Sequence, residues 1–182
     1  MIEGEKIILD RVEEKHLPQL LEWRNDPQNR KFYREYRVLT IEDKKKWYND
    51  KILNDNSWQF FVVKPKGSSA TIIGTVGLTY INFVYGTAEF SITLGDSDYR
   101  GRGYGSDMLR TIMKYGFNDL NLNRIWCEVY SNNTAIEIYK KVGFVEEGTL
   151  RQNVFKDGEY LDSTILSILK DEYYKKYPRK LS

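Results

Sequence analysis

From residue 100 to 106 the chain reads Arg-Gly-Arg-Gly-Tyr-Gly-Ser. Gly101, Gly103 and Gly105 would let backbone N–H groups close on a ligand without interference from Cβ atoms. The loop follows an alternating run, Ala88 to Leu94, and leads into an amphipathic one from Ser106 to Leu120. There Met108, Leu109, Ile112, Met113 and Phe117 fall at helical spacing. A helix start adds unsatisfied donors and a partial positive charge. Loop and helix start together make a cradle of the size a pyrophosphate needs. Two other phosphate motifs do not fit. A dinucleotide fold places G-x-G-x-x-G early in a βαβ unit, with an acidic residue about twenty positions on. A nucleoside-triphosphate loop needs Gly-Lys-Ser/Thr, which is absent. Taken alone, the glycines read equally well as a turn without a ligand.

The surrounding elements follow from pattern. Lys6 to Asp10 reads as a strand, and Glu13 to Arg24 as a helix with Leu17, Leu20 and Leu21 on one face and Pro18 near its start. Asn25-Asp26-Pro27 ends it. A second helix runs from Thr40 to about Leu53, opened by a capping box in which Asp43 replaces the usual Glu. Three strands follow, Trp58 to Lys64, Thr71 to Tyr80 and Gly86 to Leu94. Short connections make them an antiparallel meander. After the glycine loop and its helix, Arg124 to Tyr130 is a strand. Strand, helix, strand implies a right-handed crossover and a parallel pair at the sheet centre. Thr134 to Val142 is a short helix ended by Gly143. Phe144 to Phe155 and Tyr160 to Leu169 flank Asp157-Gly158 as a hairpin. The expectation is an α/β protein with a mixed sheet, ordered β-α-α-β-β-β-α-β-α-β-β, with helices on both faces. One domain would span 1–172, followed by a polar, tyrosine-rich tail from 173 to 182.

Composition excludes several classes of function. At 182 residues, 41% hydrophobic and 30% charged, the chain suits a globular protein with a substantial core. No apolar run approaches a membrane span, and the N-terminus has no apolar signal region. Cys127, the single cysteine, has no disulfide partner within the chain, and cytoplasmic localisation is expected. A net charge of +2 argues against nucleic-acid binding. His16 is the single histidine, so a histidine-rich metal site is excluded.

A second block, Asn132-x-x-Ala135-x-x-x-Tyr139-x-x-x-Gly143-Phe144, follows the glycine loop. Together they resemble the GNAT superfamily of N-acetyltransferases, and the resemblance covers nearly the whole chain. The ending, Glu146 to Arg151 and Gly158 to Asp162, resembles the branch of ribosomal-protein alanine and spermidine acetyltransferases. Trp23-Arg24-Asn25-Asp26-Pro27 is frequent there and in acetyltransferases of nucleotide-linked amino sugars. The resemblance implies acetyl-CoA as co-substrate and no metal. Backbone groups from Arg100, Gly101, Arg102, Gly103, Tyr104, Gly105 and Ser106 would hold the coenzyme A pyrophosphate, with Arg100 and Arg102 side chains adding charge. The pantetheine arm would pair with Thr93 and Leu94 where two central strands splay. An N–H near Leu94 would polarise the thioester carbonyl. Tyr139 matches the family's tyrosine at the coenzyme A sulfur, which protonates the leaving thiolate. Related sequences often have one more residue ahead of this block, so the cofactor-contacting amide is either Asn132 or Asn133.

The base is open between Glu89, on the central strand with Ser91 and Thr93 on its face, and Glu128 on the neighbouring strand. Glu128 resembles the base of ribosomal-protein alanine acetyltransferases. A water chain is a third route, and a single strand glutamate is more often an exposed carboxylate than a base. Between Arg24 and Lys51 lie nine Lys/Arg and five Asp/Glu, interleaved with Trp23, Phe32, Tyr33, Tyr36, Trp47 and Tyr48. In the family this region walls the acceptor pocket. A basic, aromatic wall suits a nucleotide-linked amino sugar or another anionic amine, and suits a polycation such as spermidine poorly. The expected activity is direct attack of an amine on the thioester, without an acyl-enzyme. The acceptor is a protein N-terminus or a small-molecule amine, and a homodimer is one compatible assembly. The rival is a non-catalytic acyl-CoA sensor with the same fold.

Overall fold

A computed structural model describes residues 1–68 and 70–178. Its centre is one eight-stranded sheet in the order β1-β2-β3-β4-β5-β6-β8-β7. The strands are β1 (Ile2–Glu3), β2 (Ile7–Arg11), β3 (Gln59–Pro65), β4 (Gly74–Asn82), β5 (Thr87–Leu94), β6 (Arg124–Tyr130), β7 (Val145–Lys156) and β8 (Glu159–Leu169). The expected meander is present as β3-β4-β5, all antiparallel. β5 and β6 form the expected parallel pair, while β6-β8 and β8-β7 are antiparallel. The helices are α1 (Leu17–Asn25), α2 (Pro27–Arg30), α3 (Ile41–Trp47), α4 (Tyr104–Lys114), α5 (Ala135–Val142) and α6 (Lys170–Lys176).

Two apolar clusters flank the sheet. Val62 packs with Val12, Leu17, Leu20 and Trp23 under α1, with Ile41 and Trp47 of α3 against them. Its neighbour Val63 points the other way, into the larger cluster with Ile7, Met108, Ile112, Phe117, Ile125 and Tyr139. This period of two along β3 is what puts α1 and α3 on one face and α4 and α5 on the other.

Local sequence rules explain the element ends. Thr40 accepts from the Asp43 N–H while Asp43 accepts from the Thr40 N–H, so the box closes with aspartate in place of glutamate. Asp157 and Gly158 have φ of 51° and 86°, which the tight β7–β8 turn requires.

Four features depart from expectation. The two-residue β1 is too short to carry a sequence pattern. Asp26 and Pro27, expected only to stop α1, instead start α2: Asp26 accepts from the Gln28 N–H and Pro27 fills the first position, where no N–H is needed. The helix after Thr40 is α-helical to Trp47 and then widens to a π-helical turn over Tyr48–Leu53. The expected polar tail from 173 is helical to Lys176. Its Tyr173 is buried against Phe117 at 4.9 Å, and the Tyr177 hydroxyl donates to the Val142 carbonyl at 2.9 Å. A tyrosine-rich tail is polar only at its hydroxyls, and its rings bury well. Residues 179–182 lie outside the described residues.

The start of α4 is fixed by a buried carboxylate. Asp107 accepts from the backbone N–H groups of Glu5 at 3.1 Å and Lys6 at 2.7 Å, which ties the β1–β2 turn to the helix. Asp107→Ala strands both donors, and hydrogen bonds to a charged group are worth about 1.5–3 kcal/mol each. The variant is expected to melt roughly 5–10 °C lower. A thermal melt within 1–2 °C of the parent would show that this anchor is dispensable.

Candidate active site

The central parallel pair holds only at Thr87↔Arg124, Ala88↔Ile125 and Glu89↔Trp126. Beyond that point β5 stays paired with β4 and β6 with β8, so the two strands part. An aromatic wedge sits at the split. The Phe90 ring lies 5.1 Å from Tyr139 of α5 and 4.9 Å from Phe144. The gap opens into a cleft of about 640 Å³ lined by residues of α1, α3, β5, β6 and the segment between α2 and α3. That volume is typical of small-molecule sites.

The glycine loop lies at the C-terminal end of β5. Gly101 and Gly103 adopt φ of +71° and +84°, where a side chain is strained. Gly105 differs: it is helical, and a Cβ there would meet nothing within 4 Å. The loop is held from behind. Lys6 Nζ donates to the Arg102 carbonyl at 2.9 Å and lies 5.7 Å from the Tyr104 ring centre. Arg100 donates to the Asn29 side chain and the Leu94 carbonyl, and Arg102 to the Asp98 carbonyl, so both guanidinium groups brace the loop. Ser106 sits in the first turn of α4. The space over Gly105 is open and lies at a helix N-terminus, where backbone N–H groups can receive an anion.

Of the residues expected at the reacting end, Glu89, Glu128, Thr93, Asn133 and Tyr139 all border the cleft. Tyr139 is 8% exposed, and burial pushes its phenol up, so it stays protonated through neutral pH. Cys127 is buried beside it, and burial pushes its thiol up, so it stays a protonated core side chain. Asn133 accepts from the Ala135 N–H through Oδ1 and so starts α5, whereas Asn132 is exposed. Thr93 bonds through its hydroxyl to Tyr33 at 2.6 Å.

Sequence reasoning did not single out Arg34. From the segment before α3 it donates to both Glu89 oxygens, at 2.5 and 3.2 Å, and reaches Glu128 at 3.4 Å. The two candidate bases thus share one guanidinium. Glu128 is also held by Asn153 at 2.7 Å and Ser163 at 2.8 Å. Lys156, at the end of β7, was equally hidden. Its ammonium caps the carbonyls of Arg30, Lys31 and Tyr33 at 3.1, 3.1 and 2.6 Å, pinning the segment that carries Arg34. Only the basic excess between Arg24 and Lys51 marked this region in the sequence.

Among the described residues no cluster of His, Cys, Asp and Glu could hold a metal ion, and no helix is long and apolar enough to cross a membrane.

Comparison with known proteins agrees with this geometry. The acetyltransferase (GNAT) domain family matches residues 6–145. Spermidine N(1)-acetyltransferase of Vibrio cholerae is 33% identical over 135 residues, covering 74% of this chain and 76% of that protein. The Escherichia coli K12 enzyme of the same name is 37% identical over 125 residues, covering 68% and 65%. The crystal structure of the Vibrio cholerae spermidine N-acetyltransferase in complex with CoA and spermine superposes with a TM-score of 0.85 at 28% identity, over 93% of this chain and 99% of that one. A family match across most of the chain, on a sheet that splits beside a glycine loop, leaves one conclusion: the chain belongs to the GNAT acetyltransferases and is an N-acetyltransferase that uses acetyl-CoA.

Proposed function

We propose that this enzyme acetylates the primary amine of a small molecule that enters the cleft from the α1–α3 side. The observation that carries the reading is the convergence of Glu89, Glu128 and Tyr139 on the one cleft that opens where β5 and β6 part. A cavity of this size walled by α3 and the segment before it favours a small acceptor over a protein N-terminus. The relatives named for spermidine act on small-molecule amines, in line with this.

Bound acetyl-CoA supplies the activated acetyl thioester. The chain supplies the rest. Gly101 to Ser106 offer backbone donors to the pyrophosphate, and the free edge of β5 at Thr93 and Leu94 takes the extended arm. Asn133, already facing the cleft, is the better placed of the two amides. Glu89 and Glu128 receive the incoming ammonium where Arg34 now sits, and one of them takes its proton. The neutral nitrogen then forms the C–N bond as the C–S bond breaks. Tyr139 keeps its proton at neutral pH and delivers it to the departing sulfur, and the proton shed by the newly acylated nitrogen restores the phenol.

Thioester consumption measured against a panel of primary amines tests the activity. Coenzyme A binding without turnover on any amine would reject the enzyme reading in favour of a sensor. Tyr139→Phe is expected to lower turnover by about 10²-fold or more while acetyl-CoA affinity changes little; unchanged turnover would remove the tyrosine from the chemistry. For the cradle, Gly105→Val is cleaner than Gly103→Val, since Gly103 carries its own backbone strain. Gly105→Val is expected to melt near the parent temperature yet bind acetyl-CoA at least tenfold more weakly. Normal affinity would place the pyrophosphate elsewhere.

A further inference from the structure

Six cations line the cleft: Arg24, Arg34, Arg37, Lys44, Lys46 and Lys51. Four are matched by carboxylates. Arg34 pairs with Glu89 and Glu128, Arg37 with Glu35 at 2.8 Å, Lys46 with Asp50 at 2.7 Å, and Lys51 with Asp55 at 2.8 Å. The remaining carboxylate of the lining, Asp43, is committed to the Thr40 cap. Among the described residues Arg24 and Lys44 have no ion pair. Each lies against an aromatic face instead, Arg24 at 3.8 Å from the Tyr33 ring centre and Lys44 at 3.8 Å from that of Trp47.

We propose that Arg24 and Lys44 form an oxyanion subsite in the acceptor cleft, so that the acceptor carries a phosphate or carboxylate in addition to its amine. The inference rests on the acetyl-transfer reading and narrows its substrate class. Two half-buried cations in one cleft, with no carboxylate in direct contact and only Glu35 acting on Arg24 from a distance, are costly unless a ligand completes them. Burial, then the charge of Arg24, pushes the Lys44 ammonium down to about 7, and burial lowers Arg24 as well. An anion bound between them would reverse both effects. A guanidinium fork and an ammonium are the donors that phosphate and carboxylate groups take. The carboxylate pair at Arg34 lies in the same cleft, so one ligand can bring its ammonium to the glutamates and its anion to this pair. A phosphorylated or nucleotide-linked amino sugar has both groups; a polyamine has only the first.

The test fills the donor site with coenzyme A and then titrates the protein with inorganic pyrophosphate in one arm and malonate in another. Tryptophan fluorescence, sensitive to Trp47 beside Lys44, and melting temperature are followed. Saturable binding of at least one anion is expected, weakened tenfold or more by Lys44→Met and by Arg24→Met. The stronger arm tells phosphate from carboxylate. Lys44→Met removes no hydrogen bond and sheds a desolvated charge, so without anion it is expected to melt a few degrees higher. Absence of binding in both arms, or equal binding by Lys44→Met, would overturn the subsite. The amine panel separates the two readings. Acetylation of spermidine with no gain from an anionic group on the acceptor leaves the enzyme standing and rejects the subsite. Anion binding without turnover on any amine does the reverse.

Discussion

The structure depends on a sheet that is left unzipped at its middle. Strands β5 and β6 pair through Glu89 and Trp126 and no further, although both continue for several residues. Unpaired backbone groups inside a sheet are costly, and an open strand edge invites another strand-like segment. Where the strands part, Phe90, Tyr139 and Phe144 pack ring against ring in the core on one face of the sheet. Opening the strands aims the Glu89 and Glu128 side chains into one space and leaves the end of β5 free beside the glycine loop. The helices exist to hold this arrangement. Asp107 and Lys6 lock the loop from the outer side, and α5 holds the wedge in place.

Charge within the cleft is sorted by position. Carboxylates on the sheet share one guanidinium, and the α1–α3 wall keeps two cations against aromatic rings. Two relatives that this chain matches at about one third identity are named for spermidine. Their name states a polycationic acceptor, and the wall of this cleft carries a positive excess. One fold hosts many functions, because function lives in the sites grafted on it.

What the sequence disclosed was local. The Thr40–Asp43 box, the Asp157-Gly158 turn, the glycine loop and the strand–helix–strand crossover each depend on residues a few positions apart, and each has the expected form. The segments proposed for the donor half were legible for the same reason, since the loop and the block ending in Gly143-Phe144 are each contiguous. The acceptor half was not. Arg34 meets Glu89 across 55 positions and Glu128 across 94, and nothing near Arg34 distinguishes it from Arg30 or Arg37. Lys156 read as a turn residue of the last hairpin, because its acceptors lie more than 120 positions upstream. Helix α6 was hidden by its own composition: Lys, Asp and Glu mask the tyrosines that bury.

The clamp by Lys156 has a consequence for how such a protein can diversify. The segment that carries Arg34 has no regular structure of its own between α2 and α3, and two of its carbonyls, with that of Arg30 at the end of α2, answer to one ammonium on a hairpin near the other end of the chain. If this wall receives the acceptor as proposed, acceptor preference is a trait of two stretches inherited as a unit. A recombination event that swapped residues 24–51 alone would import a new wall without its fastener. Drift at position 156 would loosen the wall while leaving the glycine loop untouched.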